Sequence, residues 1–304
     1  MTNTSNQTET AKSAKWRDLH QQVTDTIIGQ LETGTVPWHQ PWKGENRLLG
    51  LPKNSTTGNK YQGVNILLLW SSAIANDFTT QEWATFKQWS DNKESIRKGE
   101  KGSLIVYYDV MKKEVEGEVQ EIPFLKSSVV FNRCQLANYK PEEVQPSTDP
   151  GKTMEHILQV DTFVSNTKAI VEHKGEKACY IPSLDKIWMP EPSAFTGTET
   201  CTPTESYYST LFHELTHWSG HEQRLDREKG KKFGDDAYAK EELTAELGAA
   251  FLCAQFEIGI LPKGDHANYI GHWLKILKED KKCIFKAASE ASKAVSFLQQ
   301  LQPA

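Results

Sequence analysis

The sequence predicts an α+β protein of two domains: an N-terminal α+β half, and a C-terminal half that is mostly helical with a small sheet. Three observations carry that reading. At 304 residues the chain is about twice the length of a common single domain. Helically spaced apolar residues alternate with β-like runs such as SLIVYYDV and KSSVVFNRCQL in the first half, whereas helical spacing dominates the last third. The halves also differ in build. The first 147 residues carry 17 basic and 17 acidic side chains, the remainder 18 and 23, and six of the nine tryptophans precede residue 90.

Residues 1–13 are polar and predict a disordered tail. The first domain then runs over 14–138. Apolar residues Trp16, Leu19, Val23, Ile27, Ile28 and Leu31 mark a helix from Ala14 to Glu32 that Gly34 can stop. The loop VPWHQPW follows, held extended by two X-Pro bonds. A helix through Ile66 to Ala75 comes next, then a third over TTQEWATFKQWSDN, capped by Thr79 or Thr80. The two β-like runs follow, joined by the charged hairpin MKKEVEGEVQ. Tyr139 to Lys152 holds three prolines and no apolar periodicity, which predicts a linker. The second domain, 153–304, begins with a helix to Asn166. Strands are expected near Ala169–His173, Ala178–Ile181 and Lys186–Met189, followed by four helical stretches.

Composition narrows the class. The longest strongly apolar stretch, Asn65 to Ala75, is far short of the ~20 residues a bilayer crossing needs, and no apolar segment marks a secretory signal. Five scattered cysteines (Cys134, Cys179, Cys201, Cys253, Cys283) form no CxxC pair, which suits a reducing cytoplasm. A net charge of −5 gives no bulk drive toward nucleic acid.

The sharpest motif is His213-Glu214-Leu215-Thr216-His217, an HExxH. Positions i and i+4 share one helix face, so both imidazoles can reach one ion while Glu214 handles a proton. With nine histidines and 40 acidic residues, a random match arises about once in thirty such chains, so the surroundings decide. Tyr207, Tyr208, Leu211, Phe212, Leu215 and Trp218 supply apolar packing, and Gly220 can end the helix. The plain alternative is two histidines on an ordinary helix.

A catalytic zinc takes three protein ligands and leaves a position for water. The metzincin spacing would put a third histidine at 223, but that residue is Gln223. His221 follows Gly220 and fits a solvent-facing or supporting place better. A carboxylate from EELTAELGAAFL is the other source, and its small residues Ala245, Gly248 and Ala249 would permit close helix packing. Glu242 and Glu246 are one turn apart, so one can bind metal while the other supports a histidine. The arrangement resembles gluzincins, where the Glu ligand precedes an Ala-acid pair by three residues. That register favours Glu242, with Glu246 as the alternative. Glu241 is read as an acid complementing the helix dipole. Zinc is the expected metal, with manganese or cobalt not excluded by a His/His/Glu set.

In the first half, aromatics are interleaved with lysines, a pattern that suits single-stranded nucleic acid without high net charge. Most of these aromatics can equally be core, and Trp83, Phe86 and Trp89 at helical spacing predict burial. The candidates for DNA contact are therefore residues in loops near Gly or Pro: Trp38, Trp42, Lys60, Tyr61, Lys98 and Lys101.

GTVPWHQPW, TTGNKYQGVN, TFKQW, RKGEKGSLIVYY and VFNRCQL, followed by HELTHWSGHEQRL and YAKEELTAELGAAFL, resemble the ArdC-type antirestriction proteins of conjugative plasmids. The likeness runs from about Trp16 to the last helices. It implies an N-terminal single-stranded DNA-binding domain, shared with TraC-type plasmid primases, and a C-terminal zincin-like metallopeptidase domain. It further implies protection of incoming plasmid DNA from host restriction, with host restriction-system proteins as further partners. Two rivals stand beside it: a DNA-binding shield whose metal is structural or idle, and a regulatory metalloprotease without DNA function.

Overall fold

The computed structural model describes residues 18–38, 50–115, 118–141, 150–197, 201–227, 236–258 and 266–303. The expected tail at 1–13, Trp42, and residues 142–149 of the expected linker lie outside these. Helix α1 (Leu19–Glu32) opens on Asp18, whose carboxylate accepts from the Gln21 amide at 3.1 Å. Its apolar face, Val23, Ile27, Ile28 and Leu31, is buried.

The first sheet has the order β1-β2-β4-β3. It combines β1 (Lys53–Asn54), β2 (Glu82–Ala84), β3 (Ser103–Val115) and β4 (Glu118–Asn132), with the β3–β4 hairpin as its largest part. Helix α2 (Val64–Ala75) packs on it, with Asn65 donating to and accepting from the Val106 backbone at 2.8 Å. The helix expected from Thr79 or Thr80 does not form. Trp83 and Ala84 pair instead with Asn132 and Phe131 of β4, so strand pairing overrides the helical spacing. Helix α3 (Phe86–Asp91) starts only at a capping box between Thr85 and Gln88. Trp83 and Trp89 are buried as expected, but Phe86 is 62% exposed.

Helix α4 (Pro150–Asn166) begins inside the stretch expected as linker, with Pro150 in its first turn, where its missing N–H costs nothing. Strands β5 (Ile170–His173), β6 (Cys179–Ile181) and β7 (Lys186–Met189) form a second sheet of order β5-β7-β6. Among the described residues four helices follow: α5 (Pro203–Ser219), α6 (Asp236–Gln255), α7 (His266–Glu279) and α8 (Cys283–Gln300). Helix α6 is buried on nearly every side, lying between α5, α7 and α8.

The halves share one hydrophobic core, in which residues of α1 and α2 join those of α5 to α8. Trp38 is fully buried edge-on to Trp273, at 5.5 Å between centroids, and Trp70 meets Phe251 at 5.8 Å. The Thr24 hydroxyl donates to the Lys281 carbonyl, and the Gly63 amide to Ser292 Oγ, each at 2.8 Å. Among the described residues no helix is long and apolar enough to cross a membrane.

Candidate metal centre

The centre forms where α5 crosses α6. Helix α5 starts at a capping box between Thr202 and Glu205 with Pro203 in its first turn, and its apolar residues bury the last two turns. The crossing is close because residue 248 is glycine: a Cβ there would lie 2.5 Å from the Thr216 side chain. Past α5, the chain turns back so that Arg227 packs on Gly220, where a Cβ would sit 2.7 Å from the guanidinium.

His213 and His217 point to a common place. Their Nε2 atoms are 3.1 Å apart, and Glu242 lies 3.5 Å from His213 Nε2 and 3.4 Å from His217 Nε2. These three side chains form a group that could hold a metal ion. Three ligand atoms at about 2.05 Å in tetrahedral array stand about 3.3 Å from one another, so the spacing suits such an ion. His213 and Glu242 are buried and His217 is half-buried.

The surrounding groups hold the imidazoles. Glu241 Oε1 is 3.1 Å from His217 Nδ1, and Glu246 Oε1 is 3.5 Å from His213 Nδ1. Arg227 reaches both oxygens of Glu241, at 2.9 and 3.1 Å, and also binds Ser219 Oγ and the Thr216 carbonyl. Glu214 accepts the Tyr180 backbone N–H at 2.8 Å, which ties α5 to strand β6. Arg224 braces that strand through Asp185 and the Tyr180 hydroxyl while stacking on Trp218.

Electrostatics call for a cation at this point. Glu214, Glu241, Glu242 and Glu246 are all buried, and Arg227 pairs with Glu241. Burial disfavours charge on His217, but the carboxylates of Glu241 and Glu242 outweigh it and carry its pKa up to about 10. Burial would raise Glu242, but its hydrogen bonds to His213 and His217 hold it well below the usual carboxylate range. Grouped buried carboxylates cost several kcal/mol each unless balanced, and a divalent ion would balance them. The donor set therefore fits a metal.

The candidates for DNA contact differ in exposure. Lys60, Lys98 and Lys101 are exposed. Tyr61 is half-buried against the cluster of Leu69, Ala73, Trp83 and Val130, and burial pushes its phenol up. Trp38 is corrected: packed against Trp273 in the core, it offers no face to a base. Trp42 lies outside the described residues.

Comparison with known proteins places the whole arrangement. A family model for the N-terminal domain of anti-restriction factor ArdC matches residues 17–131, and one for a zincin-like metallopeptidase, MPTase-PolyVal, matches 158–290. The crystal structure of antirestriction ArdC from plasmid R388, metal-free, is similar at TM-score 0.76 and 37% identity, covering 93% of this chain and 97% of that one. A Sinorhizobium fredii protein, y4eC, is 33% identical over 94% of this chain and 92% of its own length. The chain belongs to the ArdC antirestriction family. The R388 ArdC structure with Mn(II) bound is also similar, at TM-score 0.73 and 36% identity, over 93% of this chain and 98% of that one. Two Escherichia coli DNA primases TraC are 34% and 32% identical, and this chain spans 27% and 19% of their lengths.

Within this ArdC-family site, three contributors carry no clear signal in the sequence. Glu241, whose place early in α6 suggests an acid complementing the helix dipole, faces His217 Nδ1 instead. Arg227 lies on the far side of a loop whose return no periodicity announces. The Tyr180 contribution is a backbone N–H, which carries no side-chain signature. His221 takes no part in the cluster, and its Nδ1 accepts from the Gln223 amide at 3.2 Å.

Proposed function

We propose that this protein binds single-stranded DNA and protects incoming conjugative plasmid DNA from host restriction in the cytoplasm, using a metal-dependent, peptidase-type site. The observation that carries the catalytic part is the convergence of His213, His217 and Glu242 with Glu214 one residue along the same helix. His213, His217 and Glu242 would hold the ion, with Glu241 and Glu246 orienting the two imidazoles. Zinc suits the donor set best, with manganese and cobalt compatible. Bound there, the ion supplies Lewis acidity for amide hydrolysis. Glu214, whose carboxylate accepts the Tyr180 N–H, would take a proton from the water that attacks the carbonyl carbon and pass it to the amine that leaves as the C–N bond breaks.

The match to the ArdC N-terminal domain and the likeness to primases TraC support the DNA-binding part. The test is a restriction-protection assay of Glu214→Ala beside wild type, with metal content measured in both. Loss of protection with metal retained supports a working hydrolase. Full protection by the variant favours a DNA shield whose metal site is idle.

A further inference from the structure

A groove of about 930 Å³ runs between the β3–β4 hairpin and α8, and residues of both halves line it. On one wall stands Tyr108, 62% exposed and paired across the hairpin with Leu125, which also lines the groove, while Tyr107 lies on the opposite face of the sheet. On the other, Lys282 at the N-cap of α8 and Lys286 and Lys293 within it stand four and seven residues apart, which places them along one side of that helix. These lysines span about 16 Å of helix. Ser289 and Ser296 add hydroxyl donors along the same wall.

Charge and geometry restrict the occupant. Three lysines line the groove against one carboxylate, Glu290, which pairs with Lys293 at 2.7 Å. Lys286 lies 3.6 Å from Asp280 at the helix start. With Asp280 counted, the described residues of this wall carry three lysines against two carboxylates, a balance of one positive charge in a chain of net charge −5, which suits an anion. Tyr108 is held in place: its hydroxyl is 3.3 Å from His20 Nε2, and the His20 ring lies 4.7 Å from that of Phe285. A fixed, exposed aromatic facing a row of cations is the arrangement that stacks bases and tracks phosphates.

We infer that this groove binds single-stranded DNA, with Tyr108 stacking a base and Lys282 and Lys286 contacting phosphates. The inference rests on the DNA-binding reading above and deepens it: the strand lies across both halves, and the last helix supplies its phosphate contacts. Residues before 147 therefore form only one wall.

The test is anisotropy titration of the full chain with a labelled oligothymidylate of about 16 nucleotides, over a range of salt. Lys282→Ala/Lys286→Ala should weaken binding and make the slope of log K against log salt shallower by roughly 1.4, about 0.7 per phosphate contact. Tyr108→Ala should weaken binding about tenfold and leave the slope unchanged. Lys177→Ala, an exposed lysine outside the groove, should match wild type. Wild-type binding with both groove variants unchanged would overturn the groove and leave the DNA reading standing. Failure of the wild-type chain to bind would overturn both.

Discussion

Glu241 Oε1 stands 3.1 Å from His217 Nδ1 and 2.9 Å from Arg227 Nη2. One carboxylate thus joins a fixed cation on the loop after α5 to an imidazole of the candidate site. The chain turns the other ring nitrogen, Nε2, toward His213 and Glu242. Glu241→Gln keeps the volume and removes the charge that orients His217. Metal affinity should fall about 10–100-fold, read by chelator competition. Unchanged affinity would show that packing alone holds the ring.

Glu242 faces both Nε2 atoms, whereas Glu246 faces His213 Nδ1. Glu242→Ala should therefore weaken metal binding more than Glu246→Ala, because it removes a ligand rather than the support of one. The reverse order in the same competition would make Glu246 the ligand.

The crossing of α5 and α6 depends on the missing side chain at Gly248. Gly248→Ala brings a methyl to 2.5 Å from the Thr216 side chain and should cost about 1–3 kcal/mol in urea unfolding. Thr216→Ala in the same chain removes the clashing atoms and should recover most of that loss. Additive losses would mean the helices are spaced by something else.

Trp38 now makes a stability prediction rather than a binding one. Trp38→Ala removes a ring buried against Trp273 and should cost about 3–5 kcal/mol. The fraction that remains folded should bind oligothymidylate like wild type. Loss of affinity at full folding would return Trp38 to the DNA surface.

The legible features were local. His213, Glu214 and His217 lie within one helical turn, so spacing alone puts them together. The small residues of α6 likewise announced a close crossing. The strands β5 to β7 stood out because each is a short apolar run between turn residues. Long-range choices were hidden. Trp83 sits at helical spacing from Phe86 and Trp89, yet pairing with Asn132 makes it strand. Trp38 lies near prolines, as a loop residue would, yet Trp273, far along the chain, buries it. The groove is hidden for the same reason, since Tyr108 and Lys286 come to line one cavity only when the two halves pack.

Metal content tests the assignment of His213, His217 and Glu242 most directly. Metal-depleted protein, incubated with zinc or manganese and dialysed, should retain about one equivalent per chain by atomic emission. His213→Ala and Glu242→Ala, each checked for a wild-type fold by circular dichroism, should retain none. Stoichiometric metal in both variants, or none in the wild type, would contradict the assignment of His213, His217 and Glu242 as its ligands.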